Sequence, residues 1–282
     1  MFTFALDKER LYRHFEKDPA LFAYHIGDLD DAIFPECQFA AIYDRTAKID
    51  DVALIYNGGK IPAVHAFGLT DRYGEFLTEL LDILPAQFLG HYFESYRPIF
   101  LSRYDETPAG SLYRMKLEQP NDLDLHPEIK PQQIVRLTAE DTPKLIALYA
   151  EAYPDSWFDP RLLATGKYFG YVRYGRLVAV AGVHVYSPTY KMAVLGNIAT
   201  LPPFRGEGIA TALTGILTHE LAEEGLGICL NVQTENAAAV RVYTKLGFAT
   251  AHQYAVAAFS EKKAQGKTKE ATRAASRKKS KR

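Results

Sequence analysis

The sequence predicts an α/β (α+β) chain built as two units of similar size, and three observations carry that reading. Strand-like and helix-like segments alternate in the last third: LGNIATL leads through a glycine-rich loop into an apolar-striped segment, and ICLNV leads into AAAVRVYTKL. The first half alternates in a similar way. Between them lies PNDLDLHPEIKP, from Pro120 to Pro131, rich in proline and acidic residues as a linker should be. A chain of 282 residues is long enough for two domains, each with its own core. The expected division is residues 1–119, a linker at 120–131, residues 132–260, and a tail at 261–282.

In the first half, helical segments are expected within Lys8 to Asp30. Strands are expected near Gln38 to Asp44, Val52 to Tyr56 and Ala63 to Phe67, followed by a helix over Arg72 to Leu84 and strands over Phe88 to Glu94 and Ser111 to Leu117. The second half begins with QIVRLT as a strand. A helix follows over about Thr142 to Glu151, with Pro143 in its first turn where a missing N–H costs nothing. A further helical piece covers Pro160 to Thr165. The strands Tyr168 to Arg173 and Leu177 to Val185 flank Tyr174-Gly175-Arg176, a hairpin signal.

The segment carrying most chemistry is Arg205-Gly206-Glu207-Gly208-Ile209-Ala210, which opens a helix after a strand. The free N–H groups and positive dipole end of a helix suit a pyrophosphate. Glycine at 206 and 208 keeps the backbone close to phosphate oxygens and permits positive φ. Ile209, Leu213, Ile216, Leu217 and Leu221 then give the helix one apolar stripe, ending near Gly225. A dinucleotide fingerprint is excluded because the third glycine and the later acidic residue are missing, and a Walker loop because no Gly-Lys-Ser/Thr follows. Farther on, Asn236 caps a second helix that Gly247 closes. Asn236, Val240 and Tyr243 share one face of it, so a phenol projects on the side of the capping amide.

RGEGIA and NAAAVRVYTKLGF together resemble the paired motifs of the GNAT superfamily of acyl-CoA-dependent N-acetyltransferases, R/Q-x-x-G-x-G/A and N-x-x-A-x-x-x-Y-x-x-x-G-F. The resemblance covers roughly the last half of the folded chain. It implies a mixed, mostly antiparallel sheet flanked by helices, and acetyl-CoA or a related acyl-CoA as cofactor, with no metal. The implied cofactor-binding residues are Asn197, Ile198, Ala199, Thr200, Phe204, Arg205, Gly206, Glu207, Gly208, Ile209, Ala210, Asn231, Asn236 and Tyr243. In the first half, Gly68-Leu69-Thr70-Asp71-Arg72-Tyr73-Gly74 stands where the phosphate loop would be, with bulky residues in place of glycine. The first half is therefore expected to be a degenerate copy, unable to hold CoA, that shapes the acceptor pocket, as in tandem-GNAT proteins.

Acyl transfer to an amine needs a donor to the thioester carbonyl, a neutral amine and a proton for the departing thiolate. Gly196 inside its strand suggests a bulge that exposes backbone groups of Asn197, Ile198 and Ala199, though ordinary sheet pairing is the alternative. Tyr243 is the candidate general acid, since a phenol with a pKa of about 10 is protonated at neutral pH; packing is its other reading. His184, on a strand face with Val180, Gly182 and Tyr186, is the candidate base, or else a hydrogen-bonded core histidine. Asp155, Ser156 and Trp157 occupy the position where the family often lines its acceptor groove, or form a capped turn. Arg205 is expected to face the phosphate and Glu207 to face solvent, because a carboxylate beside pyrophosphate would repel it.

Composition narrows the remaining choices. No apolar stretch approaches the roughly 18 residues of a membrane span, and MFTFALDKER lacks the features of a signal peptide, so a cytoplasmic location is expected. Cys37 and Cys229 form neither a disulfide framework nor a zinc pattern, and packing is favoured over a nucleophilic role for Cys229. The net charge of −1 conceals an asymmetry: residues 261–282 carry 10 Lys+Arg against 2 Asp+Glu, leaving 23 against 32 elsewhere. That tail is expected to be disordered. It either grips RNA, ribosomes or another polyanion weakly or is simply solvated. The rivals to an enzyme acting on a small-molecule or peptide amine are a CoA-binding regulatory protein without catalysis and a polyanion-docking module.

Overall fold

The computed structural model describes residues 2–122, 125–154 and 156–263. Asp155 and the basic tail from residue 264 onward lie outside the described residues. In the first half the elements run β1 (Thr3–Phe4), α1 (Lys8–Phe15), α2 (Ala23–Gly27), β2 (Cys37–Tyr43), β3 (Ile49–Tyr56), β4 (Ala63–Ala66), α3 (Tyr73–Leu80), β5 (Gln87–Tyr92), α4 (Arg97–Arg103) and β6 (Tyr104–Leu117). The second half supplies β7 (Ile134–Arg136), α5 (Thr142–Ala152), β8 (Phe169–Arg173), β9 (Arg176–Ser187), β10 (Met192–Thr200), α6 (Ile209–Glu223), β11 (Gly227–Gln233), α7 (Ala237–Lys245) and β12 (Phe248–Glu261).

All of these strands join one mixed sheet in the order β1-β2-β3-β4-β5-β12-β6-β11-β10-β9-β8-β7. The two expected sheets are therefore merged. Strand β6 of the first half sits between β11 and β12, and β12 of the second half sits between β5 and β6. The cause is the long antiparallel pairing of β6 with β12, from Phe248↔Leu117 to Glu261↔Tyr104. Each half alone would leave a hydrogen-bonding edge there, and the exchange removes both edges. The halves nonetheless repeat one plan: β4 and β5 are parallel and joined through α3, as β10 and β11 are parallel and joined through α6.

Local chemistry explains most boundaries. Tyr174 (φ 52°) and Gly175 (φ 71°) both take positive φ in the β8–β9 hairpin, the conformation whose twist matches its flanking strands. Helix α5 begins after a capping box between Thr138 and Asp141. The helix expected over Arg72 to Leu84 stops at Leu80; Leu81 and Leu84 fill the same core from the following turn. Helix α4, with only seven residues, is too short for its period to register in the sequence.

Three apolar cores form around the sheet. One packs α5, α6 and α7 on the second half, with Leu145, Leu213, Leu217 and Phe248 among its members. Another packs α3 and α4 on the first half. The third joins α1 and α2, through Leu11, Phe15 and Ile26, to Val185, Val194 and Val256 of the second half. Alternation along β10 makes this possible: Ala193 and Leu195 face the first core while Met192 and Val194 face the third. Two described residues of the expected linker also lie against the second half or its core: Asn121 Nδ2 donates to Lys245 O (3.0 Å), and Ile129 is buried.

Candidate functional site

Strands β10 and β11 are the frame of the site. They pair from Met192↔Gly227 to Leu195↔Leu230, and beyond that point no register joins them. Strand β10 continues with β9, while β11 continues with β6 through Asn231↔Arg114 and Val232↔Tyr113. The sheet thus splays into a wedge that begins at Gly196 on one side and Asn231 on the other. Two irregularities border it. His184 has no opposite residue between Val194↔Val185 and Leu195↔Val183, and Asn197 and Ile198 together oppose Ala181. Asn197 has φ 55°, and its carbonyl accepts from the buried hydroxyl of Tyr149 (2.8 Å). Gly196 therefore marks a true bulge, as the sequence suggested.

The glycine loop lies at the far end of β10. Gly206 (φ 83°) and Gly208 (φ 80°) both occupy the left-handed region, and Gly208 is the N-cap residue of the 15-residue helix α6. Beside it is a groove of about 180 Å³ lined by residues that include His126, Gly208, Thr211 and Lys245. This chain fits the phosphate end of an acyl-CoA there. Side chains at 206 and 208 would be strained, the first-turn N–H groups of α6 have no intrahelical acceptor, and Lys245 adds a cation.

Two neighbours of the loop depart from expectation. Arg205 is engaged elsewhere, donating from Nε to Thr200 O (3.0 Å) and from Nη2 to Ala152 O (3.3 Å), so it buttresses the loop instead of facing a phosphate. Glu207 is not free in solvent but pairs with Arg173 (2.5 Å). Its charge is drawn toward β8, which still keeps it away from an anion. Asn236 caps α7, accepting from Ala239 N (3.1 Å), so its side-chain oxygen serves the helix. Thr200 and Phe204 lie half-buried along the strand-to-loop path, with Phe204 under the Arg173 guanidinium. Ile209 is buried in the core and Ala210 is half-buried on the first turn.

Tyr243 is buried against Phe248, and desolvation raises its pKa well above the ordinary phenol value. The nearby Tyr153 hydroxyl adds to that rise, and does the same for Tyr149 and Tyr24. Three of these, Tyr24, Tyr149 and Tyr153, carry no sequence signal beyond being tyrosines. His184 accepts or donates at Nδ1 with Tyr24 (3.0 Å), and Trp157 meets its ring edge to face (5.8 Å). Trp157 also touches Tyr56 of β3, so the first half does reach the wedge. The expectation that the His184 pKa suits proton transfer at neutral pH is corrected: burial lowers it to about 4, with Asn197 opposing slightly. The imidazole is neutral but only weakly basic. Asn231 donates to the Tyr24 hydroxyl (3.3 Å). Cys229 is buried with its thiol pushed up to about 11, which makes it a packing residue and not a nucleophile.

The corresponding loop of the first half is closed by its own chemistry. Leu69 N and Thr70 N donate to the buried Asp51 carboxylate at 2.7 and 3.2 Å, and the Thr70 hydroxyl bonds it too. A Cβ on Gly68 would meet the Tyr73 ring at 2.1 Å. An internal carboxylate thus takes the N–H groups that a phosphate would need.

Residues 132–248 match the family model described as acetyltransferase (GNAT) family. A mycothiol acetyltransferase of Tsukamurella paurometabola is 34% identical over 115 residues, 39% of this chain and 39% of that protein. Another, of Nocardia farcinica, is 36% identical over 105 residues, covering 35% of this chain and 32% of that one. The match thus spans about a third of the length of these relatives. Among solved structures, a Drosophila protein superposes with a TM-score of 0.69 at 15% identity, over 92% of this chain and 98% of that one. A tandem GNAT protein from the clavulanic acid biosynthesis pathway does so with a TM-score of 0.53 at 10% identity, over 94% and 99%. By their motifs and their match to the family model, residues 132–248 belong to the GNAT acetyltransferase family, and over nearly the whole chain the fold is that of a tandem GNAT protein.

Proposed function

We propose that this chain transfers an acyl group, acetyl in the simplest case, directly from an acyl-CoA to an amine. The observation that carries the reading is the β10–β11 wedge with a glycine-lined helix N-terminus at one end; Tyr243, buried against Phe248 in the core of the same half, keeps its proton. When bound, the cofactor supplies an activated thioester carbonyl. The Gly206–Gly208 loop and the first turn of α6 would hold the pyrophosphate with backbone N–H groups, assisted by Lys245. Backbone N–H groups at the Asn197-Ile198 bulge, left over from pairing with β9, are suited to polarise the carbonyl. Tyr243 keeps its proton at neutral pH and is suited to donate it to a thiolate. His184, neutral above about pH 4, can take a proton only from an amine that arrives uncharged. Trp157, Tyr56 and Tyr24 would form the acceptor side, with the first half serving as a wall.

The test is thermal unfolding with and without excess acetyl-CoA, followed by thiol release across a panel of amines. A ligand that binds only the folded state raises the midpoint by mass action. Acetyl-CoA should raise it in the native chain and leave a Gly208→Trp variant unmoved. The Tyr243→Phe variant should keep the shift while losing about 10²- to 10⁴-fold in turnover. Absence of a shift would remove the cofactor assignment; a shift without thiol release from any amine would favour a regulatory acyl-CoA binder.

A further inference from the structure

Arg114 is the largest side chain buried almost completely, at 1% exposure, and it lies on β6 directly across from Asn231 at the mouth of the wedge. Neither Nε nor Nη1 has a hydrogen-bond partner, and the contact of Nη2 with the Tyr254 hydroxyl is long at 3.5 Å. Among the described residues no carboxylate pairs with it. The rings of Tyr24 (4.9 Å) and Tyr254 (5.6 Å) flank the guanidinium and offer only their faces. A buried charge without a counter-ion is costly to retain, so its persistence points to a ligand that supplies the missing charge.

The surroundings are also short of partners. The side-chain oxygen of Asn231, both ring nitrogens of His25, and Nδ1 of His65 and of His91 are buried without one. Burial and the Arg114 charge together hold these three imidazoles neutral, so none adds a competing positive charge. His65 and His91 stack at 4.5 Å, and among the described residues no group of three or more His, Cys, Asp or Glu is placed to hold a metal ion. What remains is one cation with two free donor nitrogens amid neutral imidazoles. That composition selects an oxyanion, which either edge of a guanidinium receives through paired N–H bonds.

The direction toward the wedge is continuous. Arg114 lies over the ring of Tyr24, the Tyr24 hydroxyl meets His184 Nδ1, and the His184 ring lies against Gly196 of the bulge. We infer that Arg114 docks a carboxylate or phosphate carried by the acceptor, so that the acceptor is a small amine bearing its own oxyanion. The acceptor assignment rests on the transfer reading above; anion binding at Arg114 does not.

The experiment has two arms. In the first, thermal unfolding of the full chain is followed at constant ionic strength as chloride is replaced by acetate or by inorganic phosphate. One of them should raise the midpoint, and which one does so distinguishes a carboxylate from a phosphate ligand. Arg114→Met should weaken that anion on the order of a hundredfold, as expected when a buried charge pair loses one partner. Arg114→Lys retains charge without the fork and should weaken it less, which keeps the test usable if the methionine variant does not fold. No protection by either anion, or equal protection in the variants, overturns the proposal.

In the second arm, thiol release is compared for glycine against glycinamide and for phosphoethanolamine against ethanolamine. Preference for the anionic member of a pair, reduced in Arg114→Lys and lost in Arg114→Met, is expected; equal use of both members by the native chain overturns the acceptor assignment. The acetyl-CoA shift, measured in the same proteins, should survive both substitutions. Its absence from the native chain would remove the transfer reading while leaving the anion result standing.

Discussion

Replacing Gly196 by alanine tests the geometry of the wedge with a single methyl group. Gly196 does not take positive φ, so the backbone tolerates alanine and the effect must come from what the new Cβ meets. It would stand 2.4 Å from His184 Cδ2 and 2.5 Å from Cγ and Nε2, well inside contact distance. The imidazole has to swing away, which breaks its 3.0 Å bond to the Tyr24 hydroxyl. Overpacking of this kind costs about 1–3 kcal/mol and the lost hydrogen bond about 1 more, less some 0.5 for the reduced freedom of the unfolded chain. A net loss of roughly 2–3 kcal/mol is expected, lowering the thermal midpoint by roughly 5–10 °C. The sharper assay is a double-mutant cycle with Tyr24→Phe. Tyr24→Phe alone should cost about 2 kcal/mol, because the hydroxyl also accepts from Asn231 Nδ2, but only about 1 kcal/mol once Gly196→Ala has already broken the bond to His184, giving a coupling of about 1 kcal/mol. Strictly additive costs, or a Gly196→Ala protein as stable as the native one, would show that His184 does not pack on the bulge as described.

Other outcomes follow from the same structure. Asp51→Ala should cost about 2–4 kcal/mol in urea unfolding, because it leaves Leu69 N and Thr70 N without their carboxylate; a loss below about 0.5 kcal/mol would mean the loop has other partners. Gly247→Ala places a Cβ 1.9 Å from Gln119 O at φ 99°, whereas Gly225→Ala at φ 71° meets nothing within 4 Å. The second should cost about 1 kcal/mol and the first clearly more; equal values would contradict the close approach of residue 119.

Acid should destabilise the fold through its buried imidazoles. His25 and His65 are held well below 6.5 by burial, so the unfolded chain takes up those protons first, and their contribution is present above about pH 6.5 and lost as pH falls. Asp28, raised by burial to about 8, acts in the opposite sense: stability falls as pH rises from about 4 to about 8, so acidification from 6.5 to 5 returns about 2 kcal/mol. His14, His91 and His184, lowered by burial to about 4, about 3 and about 4, act in the same sense as His25 and His65, so a net loss of stability between pH 6.5 and 5 is expected from unfolding midpoints. Proton magnetic resonance should show the His25 and His65 rings untitrated over that range; ordinary titration near 6.5 would refute their burial.

What the amino-acid sequence determined by itself is local. The positive-φ glycines of the loop, the apolar stripe of α6, the Asn236 cap, the Tyr174-Gly175 turn and the bulge at Gly196 all follow from steric and hydrogen-bonding rules that act within a few residues, and each is where the residues placed it. The loss of a phosphate loop in the first half was likewise legible as bulky side chains, although the carboxylate that fills it, Asp51, stands 18 positions earlier than the first amide it serves. The tertiary structure decided everything that depends on partners far apart in the chain. The exchange of β6 and β12 merges two sheets into one, because covering both edges outweighs keeping the halves separate. That exchange brings Arg114 beside Asn231, and α2 brings Tyr24 to His184 across 160 positions. Neither periodicity nor motif marks such residues. Arg114 reads as one more strand arginine until the fold encloses it with no counter-ion among the described residues, and His184 reads as a base near pH 7 until burial makes its charged form too costly.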